Sequence, residues 1–178
     1  MNTPDKRTLR RAIRAEIAKL SLEERKILSA QIFSEVEFMP EVAEASVVAL
    51  FASLPDEPQT AEIIERLSRT KRVVLPRIEG EDMEFYDISE GLCEGAFGIM
   101  EPTATTPVSP AEIDVMIVPG VAFTHEGARC GRGKGFYDKY LSNNGFRAYT
   151  VGVCYPCQVV AELPTEEHDR RLDRVVTA

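Results

Sequence analysis

The segment from Gly127 to Asp138 combines glycines, cations and a carboxylate in a pattern suited to phosphate binding. It contains four glycines and the three cations Arg129, Arg132 and Lys134. Glycine costs backbone entropy, but it lets successive N–H groups approach an anion closely, and a helix that begins there adds its positive N-terminal end. We therefore expect the part from Gly131 to Asp138 to be a phosphate-binding loop that opens a helix, as in an enzyme that handles ATP.

Asp138 would lie about one turn into that helix, where a carboxylate beside bound phosphates could ligate Mg²⁺. The segment is neither a P-loop nor a dinucleotide fingerprint. No glycine lies five positions before Gly133, and Lys134 is followed by glycine instead of serine or threonine. The alternative is a flexible surface turn with solubilising charges.

A second group of cations lies near the start of the chain, where residues 1–20 contain six lysines and arginines but two acidic residues. The apolar residues there recur every four positions: Leu9, Ile13 and Ile17. This spacing predicts an amphipathic helix, which we expect Thr3 to cap and Pro4 to open. Lys6 and Arg10 have the same spacing and would project from one flank. An exposed, solvated helix face is the simpler explanation of these charges.

A β-α-β unit follows a second helix whose start, at Ser21, has the form of a capping box. The apolar, branched run from Val47 to Leu54 predicts a buried strand that ends in a loop. Thr60 can cap the next helix, and Val73 to Pro76 forms the next strand. A strand, a helix and a second strand in this order imply a parallel pair.

The rest of the chain continues this alternation. We expect a third buried strand from Asp114 to Gly120, a helix from about Gly135 and a fourth strand from Tyr149 to Val153. Turns and short edge strands should fill Asp87 to Pro110, which is rich in Gly, Pro and Thr. The predicted fold is a Rossmann-like, three-layer α/β/α sandwich around a mostly parallel sheet, in one domain spanning residues 1–178.

The composition excludes several classes of protein. With 178 residues, 44% of them hydrophobic, the chain can bury one substantial core. A net charge of −8 argues against coating nucleic acid, which requires a broad basic face. No apolar run approaches the roughly 18 residues of a membrane span, and the N-terminus is charged where a signal peptide would be apolar. We expect a cytoplasmic protein.

Four cysteines, at positions 93, 130, 154 and 157, are too few and too unevenly spaced for a disulfide scaffold. The pair Cys154 and Cys157 could be a redox motif or half of a zinc site. A zinc site would need a second pair of ligands, and the only histidines, His125 and His168, are isolated. A lone pair of this kind is a weak signal for either role.

Several separated motifs occur in order along the chain. The longest comprise Pro119 to Phe123, Gly127, Arg129 and Gly131 to Asp138. Others are Lys6 to Arg10, Asp56–Glu57, Pro76–Arg77, Gln158, Pro164, His168–Asp169, Asp173 and Thr177. In these motifs the sequence resembles the 5-formyltetrahydrofolate cyclo-ligases, also called methenyltetrahydrofolate synthetases, over nearly its whole length.

The resemblance implies a reaction in which ATP, with Mg²⁺, drives closure of 5-formyltetrahydrofolate to 5,10-methenyltetrahydrofolate and releases ADP and phosphate. A formamide oxygen is a poor leaving group, and its phosphorylation by the ATP γ-phosphate would give an imidoyl phosphate that the neighbouring folate nitrogen can attack. Such a transfer asks the protein mainly for positioning and charge neutralisation. The expected partners are small molecules only, and we expect a monomer.

The resemblance also implies the site residues. Those for ATP are Lys6, Arg7, Thr8, Leu9, Arg10, Arg129, Cys130, Gly131, Arg132, Gly133, Lys134, Gly135, Phe136 and Tyr137. Those for folate are Ala52, Glu57, Arg132, Gly133, Lys134, Gly135 and Phe136, and those for Mg²⁺ are Asp138 and Asp169. Arg132 and Lys134 would steady the transferred phosphoryl group, and Glu57 would accept hydrogen bonds from the amino-pyrimidine ring. Glu57 could otherwise be a turn residue, and Asp169 one more acidic loop residue.

The sequence departs from the family pattern at a few positions. Phe136 stands where many members have tyrosine, which removes a hydroxyl but keeps an aromatic ring for packing on the pterin. Cys130 replaces a usual leucine, so that redox sensitivity of the loop is conceivable. Arg77 could help to bind an anion at the sheet edge, and we expect His168 to be structural.

Two other classes of function remain open at this point. A sugar-phosphate isomerase or acyl-transferase relative on a similar sheet could use the Gly-rich loop for substrate phosphate without ATP. A binding module, either a folate store or a nucleic-acid binder using residues 6 to 14, would turn over no ATP, and its RNA binding would depend steeply on salt. Dependence of turnover on Mg-ATP separates the cyclo-ligase from both.

Overall fold

The computed structural model of the chain describes residues 5–95, 98–164, 166 and 169–178. Its helices are α1 (Lys6–Lys19), α2 (Leu22–Phe38), α3 (Pro40–Glu44), α4 (Ala61–Ser68) and α5 (Phe136–Leu141). Its strands are β1 (Val47–Ala49), β2 (Arg72–Glu79), β3 (Asp82–Asp87), β4 (Leu92–Glu94), β5 (Met100–Pro102), β6 (Val115–Val118), β7 (Ala122–Phe123), β8 (Arg129–Cys130), β9 (Tyr149–Cys154) and β10 (Arg174–Thr177). No helix within these residues is long and apolar enough to cross a membrane.

Six strands form the central sheet in the order β10-β9-β6-β1-β2-β3. Every neighbouring pair is parallel except β2 and β3, which form an antiparallel pair at one edge. The parallel pairing of β1 with β2 across α4 confirms the predicted β-α-β unit. The sequence pattern did not predict the two edge strands, β3 and β10. Both pair on one side only and are partly exposed, so the sequence there lacks a continuous apolar run.

Two apolar clusters cover the two faces of the sheet. On β6, Val115 and Ile117 join the cluster that contains residues of α1, α2 and α4, whereas Met116 and Val118 join the cluster that contains residues of α5. Successive side chains of a strand point to opposite faces, so the two clusters must lie on opposite sides. This arrangement confirms the predicted three-layer α/β fold around a mostly parallel sheet.

Side chains cap the starts of α1 and α2, and only the cap of α2 is the predicted one. Ser21 caps α2 in a full capping box with Glu24, as predicted. Asp5 caps α1 by accepting the N–H groups of Arg7 and Thr8, so the prediction that Thr3 is the cap is wrong. Thr3 and Pro4 lie outside the described residues.

β1 is shorter than predicted, because the chain leaves the sheet after Ala49. The amide of Leu50 still donates to Val74, but the Thr60 hydroxyl then donates to the carbonyl of Phe51 at 2.6 Å and accepts from the amide of Ser53 at 3.1 Å. Thr60 therefore fixes the segment after β1 and does not cap α4 with its side chain. This segment and the one after β6 leave the carboxyl ends of adjacent strands, where open α/β sheets bind their ligands.

Candidate active site

A cavity of about 470 Å³ lies at this edge of the sheet and gathers most of the predicted site residues. Its predicted lining residues are Lys6, Arg10, Ala52, Glu57, Arg129, Gly131, Arg132, Gly133, Lys134, Gly135, Phe136, Tyr137, Asp138 and Asp169. These residues come from α1, the loop after β1, the glycine-rich segment and the chain near the C-terminus. The fold thus brings together groups that are up to 163 positions apart in sequence.

Four of the predicted ATP-binding residues do not line this cavity. Arg7 and Thr8 line a neighbouring depression that shares Arg10 and Arg132 with it. The side chains of Leu9 and Cys130 are buried in the apolar cluster that contains residues of α1, α2 and α4. The Leu9 side chain contributes to the core because the same periodicity that directs Lys6 and Arg10 outward directs Leu9 inward, and a contact of Leu9 or Cys130 with ATP stays a prediction.

The first part of the glycine-rich segment is a β-hairpin and not a loop. β7 and β8 pair antiparallel, with the amide of Val121 donating to Cys130 at 2.8 Å. Gly127 turns the hairpin with a φ of +88°, and a Cβ there would lie 2.1 Å from the carbonyl oxygen of Leu172. Only glycine fits this left-handed, close-packed position. The hairpin provides a rigid base for the loop that follows.

The loop from Gly131 to Gly135 runs along the cavity and ends at α5. Gly135 adopts a φ of +73° as the N-cap residue, and the helix begins at Phe136, close to the predicted start. Within the described part of the chain, the amides of residues 131–135 donate no hydrogen bonds, so they are available to an anion. Because α5 has only six residues, the bound charge would have to be neutralised mainly by side chains.

Arg129 is buried beneath this loop and is paired with Asp138. One guanidinium nitrogen donates to the carbonyl of Pro119 at 3.1 Å and the other to Asp138 Oδ2 at 3.1 Å. A Cβ at Gly131 would lie 2.9 Å from the arginine Nη1, and one at Gly120 would lie 2.7 Å from the ring of Phe123 and 3.1 Å from the arginine Cγ. Part of the glycine content therefore accommodates Arg129, a reason that the sequence pattern alone did not reveal.

Arg132 binds the two acidic residues that follow β1. Its guanidinium contacts Glu57 Oε1 at 3.0 Å and Asp56 Oδ1 at 2.5 Å. Burial raises the pKa of Glu57 above its ordinary value, and the charge of Arg132 offsets only part of this effect. Burial also favours protonation of Asp56, but there the hydrogen bonds and charge of Arg132 prevail and the pKa lies below its usual range. Both carboxylates are thus tied to the predicted catalytic arginine.

Lys6 joins the start of the chain to its C-terminal region. Its Nζ lies 2.7 Å from Asp169 Oδ2 and 2.9 Å from Glu166 Oε1. Although partial burial opposes it, these hydrogen bonds and charges raise the pKa of Lys6. Arg10 donates to the carbonyl of Gly131 at 2.7 Å. Lys134, in contrast, is exposed and makes no hydrogen bond or ion pair with any described residue.

The cavity also has apolar lining residues, none of which was predicted as a site residue, although Pro76 belongs to one of the family motifs. They are Phe51, Leu54, Pro76, Ile78, Met83 and Ile99, and Glu101 lines the cavity as well. Ile99 and Glu101 belong to the segment around β5, for which only turns and short edge strands were expected. The lining is therefore bipolar: we call these apolar residues its apolar half, and Lys6, Arg10, Arg132 and Lys134 its cationic half.

Arg77 does not line the cavity, and its guanidinium is engaged by other groups of the protein. Its Nη1 donates to the carbonyls of Pro102 and Ala104, each at 2.9 Å, and its other nitrogens bind Glu79. The guanidinium also stacks on Tyr86, 3.8 Å from the ring centre. Arg77 instead holds β5 against β2, so the suggestion of an anion-binding role is wrong.

The two predicted magnesium ligands, Asp138 and Asp169, line the same cavity. Asp138 Oδ1 is buried and has no hydrogen-bond partner among the described residues, as expected of an oxygen reserved for a cation. The described residues contain no cluster of three or more side chains that could hold a metal alone. Mg²⁺ is commonly held by one or two carboxylates together with substrate phosphates, and the two aspartates match that number. His168, which we expected to be structural, lies outside the described residues.

The cysteines show little sign of redox chemistry. Cys154 is fully buried under β10, and burial raises its pKa to about 12; burial also raises the pKa of Cys157 and Cys130. We predict that an alkylating reagent at about pH 8 modifies exposed Cys93 first and leaves Cys154 untouched until urea unfolds the protein, because the thiolate is the reactive form. Mass spectrometry of the labelled peptides measures this. Rapid labelling of native Cys154, or a Cys154–Cys157 disulfide under mild oxidation, would contradict it.

Comparisons with known proteins agree on one family. The family model described as "5-formyltetrahydrofolate cyclo-ligase family" matches residues 2–178. A 5-formyltetrahydrofolate cyclo-ligase of Escherichia coli is 35% identical over 175 residues, covering 93% of this chain and 96% of the relative. The solved structure of the Aquifex aeolicus 5,10-methenyltetrahydrofolate synthetase is 36% identical and superimposes with a TM-score of 0.86, covering 97% of this chain and 89% of that one. A 5,10-methenyltetrahydrofolate synthetase from Mycoplasma pneumoniae, at 24% identity, shares the fold with a TM-score of 0.80, covering 98% of this chain and 99% of that one.

Proposed function

The chain belongs to the 5-formyltetrahydrofolate cyclo-ligase family, and from this membership we propose that it converts 5-formyltetrahydrofolate to 5,10-methenyltetrahydrofolate with ATP and Mg²⁺, releasing ADP and phosphate. The bipolar cavity is the observation that carries the proposal. Its cationic half suits a triphosphate, and its apolar half beside Glu57 suits a flat ring that donates N–H groups. We propose that the whole chain acts as one domain and as a monomer.

The reaction balances in two steps. The formyl oxygen attacks the γ-phosphorus, the bond from phosphorus to the bridging oxygen breaks, and ADP leaves. N10 of the folate then attacks the formyl carbon and loses its proton, the carbon–oxygen bond breaks, and phosphate leaves with the former formyl oxygen. The intermediate between the steps is an imidoyl phosphate, which needs no covalent bond to the protein.

The side chains of the cavity supply charge and orientation for these steps. Lys6 and Arg10 would hold the phosphates from the start of α1, together with the free amides of the loop. Lys134 and Arg132 would stabilise the negative charge of the phosphoryl group in the transition state of its transfer. Asp138 and Asp169 would hold Mg²⁺, which supplies neutralisation of phosphate charge when bound. Glu57 and the apolar lining residues would hold the pterin ring in position.

One of the two proposed ligands of Mg²⁺ must exchange a partner when the nucleotide binds. Asp138 is paired with Arg129 through Oδ2 only, whereas Asp169 Oδ2 is paired with Lys6. A phosphate that takes over Lys6 releases carboxylate lone pairs on Asp169 for the cation, so phosphate and metal would enter together. We expect little binding of Mg²⁺ to the protein alone.

The direct test is an absorbance assay. Purified protein is mixed with 5-formyltetrahydrofolate, ATP and Mg²⁺, and the ultraviolet absorbance of the methenyl product is followed along with ADP release. We expect product and ADP to rise in equal amounts, and both to stop when ATP is omitted or Mg²⁺ is chelated. Absence of product and ADP with protein that remains folded by circular dichroism would overturn the proposal.

A further inference from the structure

Arg132 lines the cavity and binds two carboxylates at once. Its Nε and Nη2 lie 3.0 and 2.9 Å from Glu57 Oε1, while Nη1 and Nη2 lie 3.2 and 2.5 Å from the two oxygens of Asp56. We refer to Arg132, Asp56 and Glu57 as the Arg132 cluster. Arg14 Nε approaches Asp56 Oδ2 only to 4.0 Å, so the guanidinium of Arg132 is the nearer cation for both carboxylates, and a third anion competes with them for it.

Glu57 has little capacity for a ligand while Arg132 holds it. Each carboxylate oxygen has two lone pairs. Oε2 accepts the amide of Leu54 at 2.9 Å, and Oε1 accepts the Nε–H of Arg132 at 3.0 Å and lies 2.9 Å from its Nη2. A ligand that presents two neighbouring N–H groups, one to each oxygen, therefore competes with Arg132 for Oε1.

The displaced guanidinium keeps one anchor and needs a second partner. Asp56 is the more exposed carboxylate, with 30% of its side chain accessible against 5% for Glu57, and its two oxygens face two nitrogens of Arg132. This fork can hold the guanidinium after Glu57 has turned to a ligand. Arg132 also lines the cationic half of the cavity together with Lys6 and Arg10, where phosphate oxygens would replace the lost carboxylate.

We propose that Arg132, positioned by Asp56, couples the two ligands, so that nucleotide and folate each strengthen the binding of the other. This inference rests on the proposed function, because it assumes that both ligands enter this cavity. One movement of the guanidinium, from Glu57 to phosphate, completes both subsites. With folate alone, Arg132 loses Glu57 and has no phosphate in its place. With nucleotide alone, Glu57 loses Arg132 and has no folate N–H groups in its place. The second ligand supplies the missing partner.

Titration calorimetry tests the coupling. The dissociation constant of 5-formyltetrahydrofolate is measured with and without a non-hydrolysable ATP analogue and Mg²⁺, conditions under which no turnover occurs. We expect the analogue to tighten folate binding by about tenfold, and folate to tighten binding of the analogue by the same factor, since binding coupling is reciprocal.

Variants then locate the coupling. In Arg132→Gln the ratio of the folate dissociation constants without and with the analogue is expected to fall below about twofold. Glutamine has no charge to transfer from Glu57 to a phosphate. The matched control is Arg66→Gln, which removes an arginine paired with Glu37 outside the cavity and should keep the tenfold ratio. If Arg132→Gln binds the analogue too weakly to measure, Arg132→Lys keeps the charge without the planar fork and should give an intermediate ratio.

The outcomes separate the two proposals. Turnover by the wild-type protein together with a binding ratio near one would overturn the coupling and leave the proposed function standing. A tenfold ratio that survives in Arg132→Gln, or is unchanged in Arg132→Lys, would overturn Arg132 as its route. Failure of both ligands to bind to folded protein would overturn the proposed function and the coupling with it.

Discussion

Replacement of Lys134 by alanine is expected to lower kcat by about 10²- to 10³-fold and to leave the stability of the protein within about 0.5 kcal/mol of wild type. Lys134 is exposed and unpaired among the described residues, yet it lines the cavity beside Arg132. Its removal breaks no contact of the folded chain. Lys134 is proposed to stabilise the negative charge that develops on the phosphoryl group in the transition state. Its removal should therefore lower kcat.

Steady-state kinetics and thermal melting measure the two effects. The control is Lys26→Ala, which removes another exposed, unpaired lysine from α2, away from the cavity, and should change neither quantity. Lys134→Arg should recover part of the activity, because it restores the charge with a different shape. Loss of melting temperature in proportion to activity, or wild-type kcat in Lys134→Ala, would exclude the proposed role.

The parts of the site that are local in sequence could be predicted. The glycines and cations of the segment from Gly131 to Asp138 lie within eight consecutive positions, and their spacing alone indicated a loop that opens a helix. Lys6 and Arg10 were placed on one flank of α1 by the same periodicity that buries Leu9. Wherever a pattern depends on neighbours within about four residues, the sequence carries the information.

Pairings between distant segments could not be derived in this way. Lys6 meets Asp169 across 163 positions, and Arg132 meets Asp56 across 76. Such contacts depend on strand order, and a charge pattern does not reveal which of many acidic residues lies opposite a given cation. The resemblance to the family supplied these residues as a set, but it did not indicate that the two carboxylates after β1 share one arginine.

The glycine-rich segment also shows that one pattern can have several physical causes. Glycine was expected for close approach of the backbone to an anion. At Gly127 the structure also requires a left-handed turn against Leu172, and at Gly131 it requires space for the buried side chain of Arg129. A sequence pattern cannot separate these causes, because each of them excludes a Cβ atom.

Replacement of Arg129 by methionine is expected to lower the free energy of unfolding by about 3 to 5 kcal/mol, the largest loss of stability predicted for the site. The Arg129 side chain is 3% exposed, and its charge faces Asp138, whose side chain is 16% exposed. Methionine fills similar space but leaves the carboxylate partly buried without a counter-charge. Activity should fall as well, because Asp138 is the proposed ligand of Mg²⁺. Urea unfolding, with the slope unchanged, measures the loss.

The double variant Arg129→Met/Asp138→Asn distinguishes an unpaired charge from simple loss of packing. If the cost comes from the stranded carboxylate, the neutral amide should recover about 1 to 3 kcal/mol of it, a coupling of the size found for residues in direct contact. The double variant should nevertheless stay inactive, since asparagine is a poor substitute for a charged ligand of Mg²⁺. Additive losses would contradict the pairing as the source of the cost. Lys134→Ala should lose turnover but not stability, so the two sets of variants together would show that two cations of the glycine-rich segment have different roles: Arg129 stabilises the fold around the cavity, and Lys134 acts on the ligand.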